Sequence, residues 1–250
     1  MIAIPTYQQS PLSDAFNAFE QDVQQYEEPD RIPILSKYFQ AFQGGYAQGD
    51  AFLGIRVPNI RSLAKTHFRS LEPDILANEL LQSPYHEFRL CALFMLIHHY
   101  KQQKALAVKE HIINLYIQQF EFVNNWDLVD TSAPHLLGPH LHKQNKTLLY
   151  QLAQSGWLWQ ERAAMVSCLY FIKKGDYTDA LSLARHFLHH PHDLMHKAVG
   201  WMLREIGQKH LPSLITHLQA HQKEMPRTQL RYAIEKLDAQ TRQAFMRGQG

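Results

Sequence analysis

The chain has 250 residues, 45% of them hydrophobic and 19% charged, enough apolar side chain to bury a sizeable core, which excludes an intrinsically disordered protein. Its formal charge of +2 is uneven: residues 151–250 hold 13 Lys and Arg against 8 Asp and Glu, leaving +5, while residues 1–150 hold 12 against 15, leaving −3, an asymmetry that points toward a polyanionic partner. No apolar run approaches the roughly 18–20 residues of a membrane span, and the amino terminus lacks the basic start and apolar segment of a signal peptide, so a soluble, cytoplasmic protein is expected.

Strand signals are scarce, with no sustained period-2 alternation and no Asn-Gly or Asp-Gly hairpin, so helices are predicted throughout. The chain reads as one domain, 1–250: an N-terminal helix and cap over 1–30, repeats over 31–236, and a C-terminal cap or tail over 237–250. Gln43-Gly44-Gly45 with Gly49 reads as a turn, matching neither a dinucleotide nor a Walker loop. Leu63, Ala64 and Phe68 recur at helical spacing after the break Val57-Pro58-Asn59, and Leu90, Leu93, Phe94 and Ile97 after Ser83-Pro84. Breaks at Ala133-Pro134 and Gly138-Pro139 follow. Ala164, Cys168 and Phe171 then come after Gln154-Ser155-Gly156, and Ala198, Met202 and Ile206 after His190-Pro191, with a last break at Met225-Pro226. Several of these prolines stand near the first turn of the next helix, where a missing N–H does no harm.

Cys91 and Cys168 lie in apolar helical stretches without a CxxC neighbour and are read as reduced core thiols. His98-His99, and His189, His190 and His192 beside Asp193, have neither HExxH spacing nor a cysteine partner, so they are read as solvated loop histidines and no metal is expected. Lys173-Lys174 sits at a helix C-terminus, where cations complement the dipole.

Repeats set the architecture. A basic residue is followed within three positions by alanine at Arg89, Arg162, Lys197 and Arg231, with separations of 73, 35 and 34, the first close to two periods of the others. Self-similarity near 35 residues is the signature of stacked helix pairs, so an all-α, HEAT-like helical repeat superhelix (α-solenoid) with a concave basic groove is predicted, the four cations forming a stripe. Where a further unit should lie, near residue 126, stands Asn124-Asn125-Trp126-Asp127-Leu128-Val129-Asp130, with carboxylates in place of cations. Trp126 and Asp130 are four apart and share one helix face, whereas Asp127, with Asn124 as N-cap, falls where a carboxylate caps the helix start. For Asp130 two readings stand: a salt bridge to a neighbouring Arg, or a catalytic group in the company of the four tryptophans, Trp126, Trp157, Trp159 and Trp201.

A carboxylate among indoles in a cationic groove suits glycosidic bond cleavage on DNA, with phosphates held by Lys and Arg and a positive sugar stabilised by carboxylate and aromatic faces. An ordinary glycosidase needs a second carboxylate to protonate the leaving group. An alkylated purine already carries positive charge and departs unaided.

These residues resemble the DNA alkylation repair glycosylases of the AlkD type. The matching stretches are Phe52-Leu53-Gly54-Ile55-Arg56-Val57-Pro58, Trp126-Asp127-Leu128-Val129-Asp130 with Pro134 and Leu137-Gly138, Gln160-Glu161-Arg162-Ala163-Ala164, and Lys197-Ala198-Val199-Gly200-Trp201-Met202-Leu203-Arg204-Glu205, spread over about residues 35–236. The resemblance implies a HEAT-like solenoid with double-stranded DNA across its basic face and hydrolytic release of N3- and N7-alkylated purines such as 3-methyladenine and 7-methylguanine, without cofactor, metal or lyase chemistry. It carries the catalytic aspartate onto Asp130, the tryptophans that cradle the lesion onto Trp126 and Trp201, and the groove arginine onto Arg162. Further DNA contacts carry over to Tyr38, Arg56 and Arg204, beside Lys197 and Arg231 of the stripe. The sequence departs from the pattern at Gln43–Asp50, which looks like an extra Gly-containing segment, and at Asn125, where the type member has a second tryptophan. A non-catalytic module binding branched or damaged DNA, and a protein-interaction scaffold, are the alternative readings, and a monomer is expected from a solenoid with polar ends.

Overall fold

A computed structural model describes residues 11–142 and 144–248; the outermost parts of the expected N- and C-terminal segments, residues 1–10 and 249–250, lie outside the described residues. The helices, in order, are α1 Pro11–Gln24, α2 Ile32–Tyr38, α3 Val57–His67, α4 Pro73–Ile75, α5 His86–Gln102, α6 Leu106–Gln118, α7 Trp126–Ser132 and α8 Leu137–Leu141, then α9 Thr147–Ala153, α10 Leu158–Lys173, α11 Thr178–His186, α12 Asp193–Lys209, α13 Leu211–His221, α14 Arg227–Ala233 and α15 Ala239–Met246. A π-helical turn, Leu76–Leu80, extends α4, and 3-10 turns cover Pro29–Arg31 and Phe120–Phe122. Among the described residues no strand forms beyond an isolated bridge between Ala51 and Tyr85. The fold is all-α, as expected.

The punctuation is the one the prolines dictate. Pro58, Pro73 and Pro212 occupy the first turns of α3, α4 and α13, where no N–H is needed. Pro134 disfavours helical backbone at Ala133, and α7 ends at Ser132. Two compact units divide the chain, Met1–Leu128 and Val129–Gly250.

In the first unit α5 is enclosed on all sides, 13 of its 17 residues being buried, so its apolar residues occupy every face instead of one stripe. In the second unit α10 is the counterpart, with 12 of 16 buried. Cys91 and Cys168 sit on these two helices as buried free thiols, and burial pushes both up from the ordinary thiol range, which makes them poor nucleophiles.

Within the second unit the repeat is written in polar contacts as well as in apolar ones. Tyr150 to Asp179, Asp130 to Arg162, Ala133 to Ser167, Ala153 to His186, Glu161 to His190 and Arg204 to Glu235 are hydrogen bonds between residues 29 to 34 apart. The spacing is slightly shorter than the 35 read from the basic residues. Two glycines mark close helix approaches: a Cβ on Gly138 would lie 2.6 Å from Tyr170 Cβ, and one on Gly200 2.5 Å from Tyr232 Cβ and 2.6 Å from Gln229 O. Each tyrosine lies 32 residues beyond its glycine, so the same contact recurs in two places.

Candidate active site

Short as it is, α7 carries the centre of the site. Asp130 lies one turn beyond Trp126 on it. Arg162, from the buried helix α10, meets Asp130 with two parallel bonds, Nε to Oδ1 at 2.8 Å and Nη2 to Oδ2 at 2.7 Å. Its third donor, Nη1, goes to the Leu194 carbonyl at the start of α12. This fork-to-fork geometry is the natural pairing of a guanidinium with an ionised carboxylate. The arginine side chain is 5% exposed and the aspartate 18%, so the pair is anchored from inside and the aspartate is the more accessible partner. The salt bridge weighed for Asp130 in the sequence is therefore real.

Trp126, half-buried, is held by the first unit. Its indole N–H donates to the Tyr46 hydroxyl at 3.1 Å, the exposed Tyr38 ring meets it edge-on at 5.8 Å, and Phe39 lies 5.7 Å away at a tilt. Tyr46 comes from the segment 43–50, which is a turn as expected, with Gly44 and Gly49 at positive φ, but which also reaches Trp126.

Behind Trp126 runs a buried chain of alternating charge. Asp127 Oδ2 is 2.8 Å from His86 Nε2, His86 Nδ1 is 3.5 Å from Asp50 Oδ2, and Asp50 Oδ2 is 2.6 Å from Arg89 Nη2. Burial alone would lower the His86 imidazole, but Asp127 and Asp50 outweigh it and push it up to about 9. Burial would likewise raise Asp50, yet His86, Arg89 and Asn124 hold its carboxyl below the ordinary range. The imidazole is stacked on Phe39 at 4.7 Å and Phe52 at 5.3 Å, rings that suit a protonated partner. His86, Asp50, Tyr46 and Phe39 were missed in the sequence. A lone histidine in an apolar helix reads as core, and only the Gly-bounded extra segment hinted at the rest.

Several expectations are corrected. Arg89 is not part of an exposed stripe: it is 4% exposed, paired with Asp50, and donates to the Ser83 carbonyl at 3.0 Å, because α5 is enclosed. Arg162 is buried for the same reason, so only Lys197 and Arg231 of the four cations reach solvent. Asn124 does not cap α7, which starts at Trp126; its amide donates to Asp50 at 3.1 Å, and Asp127 turns to His86 and the Leu128 N–H. Trp159 is core, 5% exposed. The histidines around Pro191 are not all solvated: His190 lies 2.9 Å from Glu161, and His192 caps α12 by accepting from the Leu194 N–H. His99 is likewise buried, against the Leu71 carbonyl.

The other expected DNA contacts fall as follows. Lys197, Trp201 and Arg204 share α12; Lys197 pairs with Asp193 at 2.7 Å, the Trp201 N–H donates to Glu205 at 3.0 Å, and Arg204 pairs with Glu235. Arg56 is exposed and bound at two points by Glu28, at 2.8 and 3.0 Å. Arg231 is exposed on α14 and has no ion pair among the described residues.

Stacked helix pairs, tied by polar contacts at a near-constant spacing, define a HEAT-like helical repeat protein. The family model of the DNA alkylation repair enzyme matches residues 19–237, and the chain belongs to that family. Its fold is similar to that of a solved structure described as a predicted DNA alkylation repair enzyme from Enterococcus faecalis, at 16% identity and a TM-score of 0.65, over 85% of this chain and 97% of that one. No curated protein gave a significant match. A role in repair of alkylated DNA follows from the family. No helix of the described residues is long and apolar enough to cross a membrane.

Proposed function

We propose that the protein is a monofunctional DNA glycosylase that hydrolyses the N-glycosidic bond of positively charged N3- and N7-alkylated purines in duplex DNA. The observation that carries the reading is the Asp130 carboxylate, partly exposed, fixed at two points by buried Arg162 and one helical turn from a half-buried indole. In the proposed reaction the C1′–N bond breaks with both electrons going to the cationic purine, which leaves neutral. The sugar becomes oxocarbenium-like, and ionised Asp130 stabilises that charge. Water then adds at C1′ and gives its proton to the carboxylate or to solvent. Trp126 and Trp201 are proposed to flank the lesion, and Tyr38, Arg56, Lys197, Arg204 and Arg231 to contact the duplex.

One observation favours the second reading, a DNA-binding module without turnover: Asp130 already has a structural partner. The two readings separate on release of free 7-methylguanine and 3-methyladenine from methylated duplex DNA. Asp130→Asn is expected to lower release on the order of a hundred- to a thousandfold while DNA binding is kept. Because Asn leaves Arg162 short of a counter-ion, Asp130→Glu is the companion variant. It keeps the charge and the pair, displaces the carboxylate by a methylene, and is expected to fold as the parent does and still lose turnover. No release by the parent chain, with duplex bound, would make the protein a binding module.

A further inference from the structure

The second unit holds a pocket unconnected with the chemistry above. It is a cavity of about 310 Å³ between α11 and α13, whereas Arg162 and Trp201 belong to α10 and α12. Its polar lining is Arg185 from α11 and His210, Ser213, Thr216, His217 and His221 from α13 and its cap; no carboxylate lines it. Arg185 has no ion pair among the described residues. His217 is 5% exposed, and its Nε2 is buried without a hydrogen-bond partner although the ring borders the cavity. A buried, unpartnered ring nitrogen is costly unless something in the site partners it. The His221 ring lies 4.8 Å from it, one turn on, and the Ser213 hydroxyl is 2.9 Å from His210 Nδ1.

We propose that this cavity binds a phosphate monoester dianion. Donors converge from two helices and outnumber what a planar carboxylate uses, which favours a tetrahedral oxyanion. Arg185 supplies the permanent charge. A metal cation is disfavoured by that guanidinium, and among the described residues no three ligating side chains converge. His217 supplies pH dependence. Burial first, then His221 and Arg185, holds His217 down to about 4, so in the empty site it is neutral near neutrality. A bound dianion facing Arg185, His210, His217 and His221 reverses the sign of the local field and favours the imidazolium. Binding of the dianion therefore takes up a proton, and above the second ionisation of the phosphate it tightens as pH falls. The site rests on α11 and α13 alone and stands whether or not the protein is a glycosylase.

The test is an NMR titration of the histidine ring signals of the full chain with inorganic phosphate, at about pH 7.5, where the ligand is dianionic and a raised His217 would protonate on binding. Saturable shifts of His217 and His221, with the apparent affinity weakening up to roughly tenfold per unit as pH rises above that value, are expected. Arg185→Gln, at an exposed position that leaves the core untouched, is expected to abolish them. Duplexes with and without a 5′-phosphate distinguish the source: shifts with the phosphorylated duplex alone assign the phosphate to a DNA end, shifts with inorganic phosphate to a small molecule. No shift with any of the three, or shifts with zinc and not with phosphate, overturns the proposal.

Discussion

Arg162 is 5% exposed and Asp130 18%, and this shared burial sets what a substitution at either does. Removing one partner of a buried ion pair leaves the other charge uncompensated, at about 3–5 kcal/mol, so Arg162→Ala is expected to destabilise on that scale in urea unfolding. Tyr46→Phe removes the acceptor of the Trp126 N–H. It is expected to cost about 1 kcal/mol or less of stability but to lower release of alkylpurine several-fold through a misoriented indole, seen as a change in KM with Trp fluorescence altered; unchanged kinetics would remove Tyr46 from the site. His86 makes stability depend on pH. Its folded value of about 9 lies above the unfolded value of 6.5, so its contribution is complete below about pH 6.5 and is lost as pH rises through 9. Denaturant midpoints are expected to fall between those limits by an amount worth up to about 3 kcal/mol, and His86→Gln to flatten the fall. At this scale Trp126 and Asp130 were legible because helical spacing places both on one face. Arg162's pairing was not, because its partner is 32 residues away and the stacking of repeats, not local sequence, brings them together.

Among elements, the breaks were the most legible features, since proline and glycine act through backbone geometry that no tertiary contact alters. The π turn Leu76–Leu80 and the enclosure of α5 and α10 were not, because a helix buried on every side lacks the one-sided pattern that announces its orientation. Predicting the basic stripe as exposed failed for that reason. Gly200 tests the packing of α12 on α14. Alanine there gains up to about 1 kcal/mol of helix propensity but meets the Gln229 carbonyl at 2.6 Å, where backbone must move. Gly200→Ala is expected to lower stability by about 1–3 kcal/mol, read as a lower Tm; an equal or higher Tm would mean that the two helices separate freely.

For the molecule as a whole, the excess of positive charge in residues 151–250 was visible in the sequence, but its pairing was not. Arg56, Lys197 and Arg204 each carry a carboxylate, Glu28, Asp193 and Glu235, so the proposed phosphate contacts would have to displace an acid at all three. Exposed pairs of this kind are weak and exchange readily. Glu28→Gln with Glu235→Gln is expected to tighten duplex binding several-fold at low salt, the gain shrinking as salt rises, in an anisotropy titration; unchanged or weaker binding would take Arg56 and Arg204 out of the interface. The boundary between the two compact units was equally hidden, since it falls after Leu128, inside α7, with no linker to mark it. The pair of Asp130 with Arg162 also bears on descent. A lineage that abandoned base release would still be destabilised by losing the aspartate, because the buried arginine would remain. Trp126 carries no such obligation, being half-buried and tied by one hydroxyl. Within this architecture, then, if the proposed chemistry decayed, the loss should be written first in the indole at 126, with the acid at 130 outlasting the activity proposed for it.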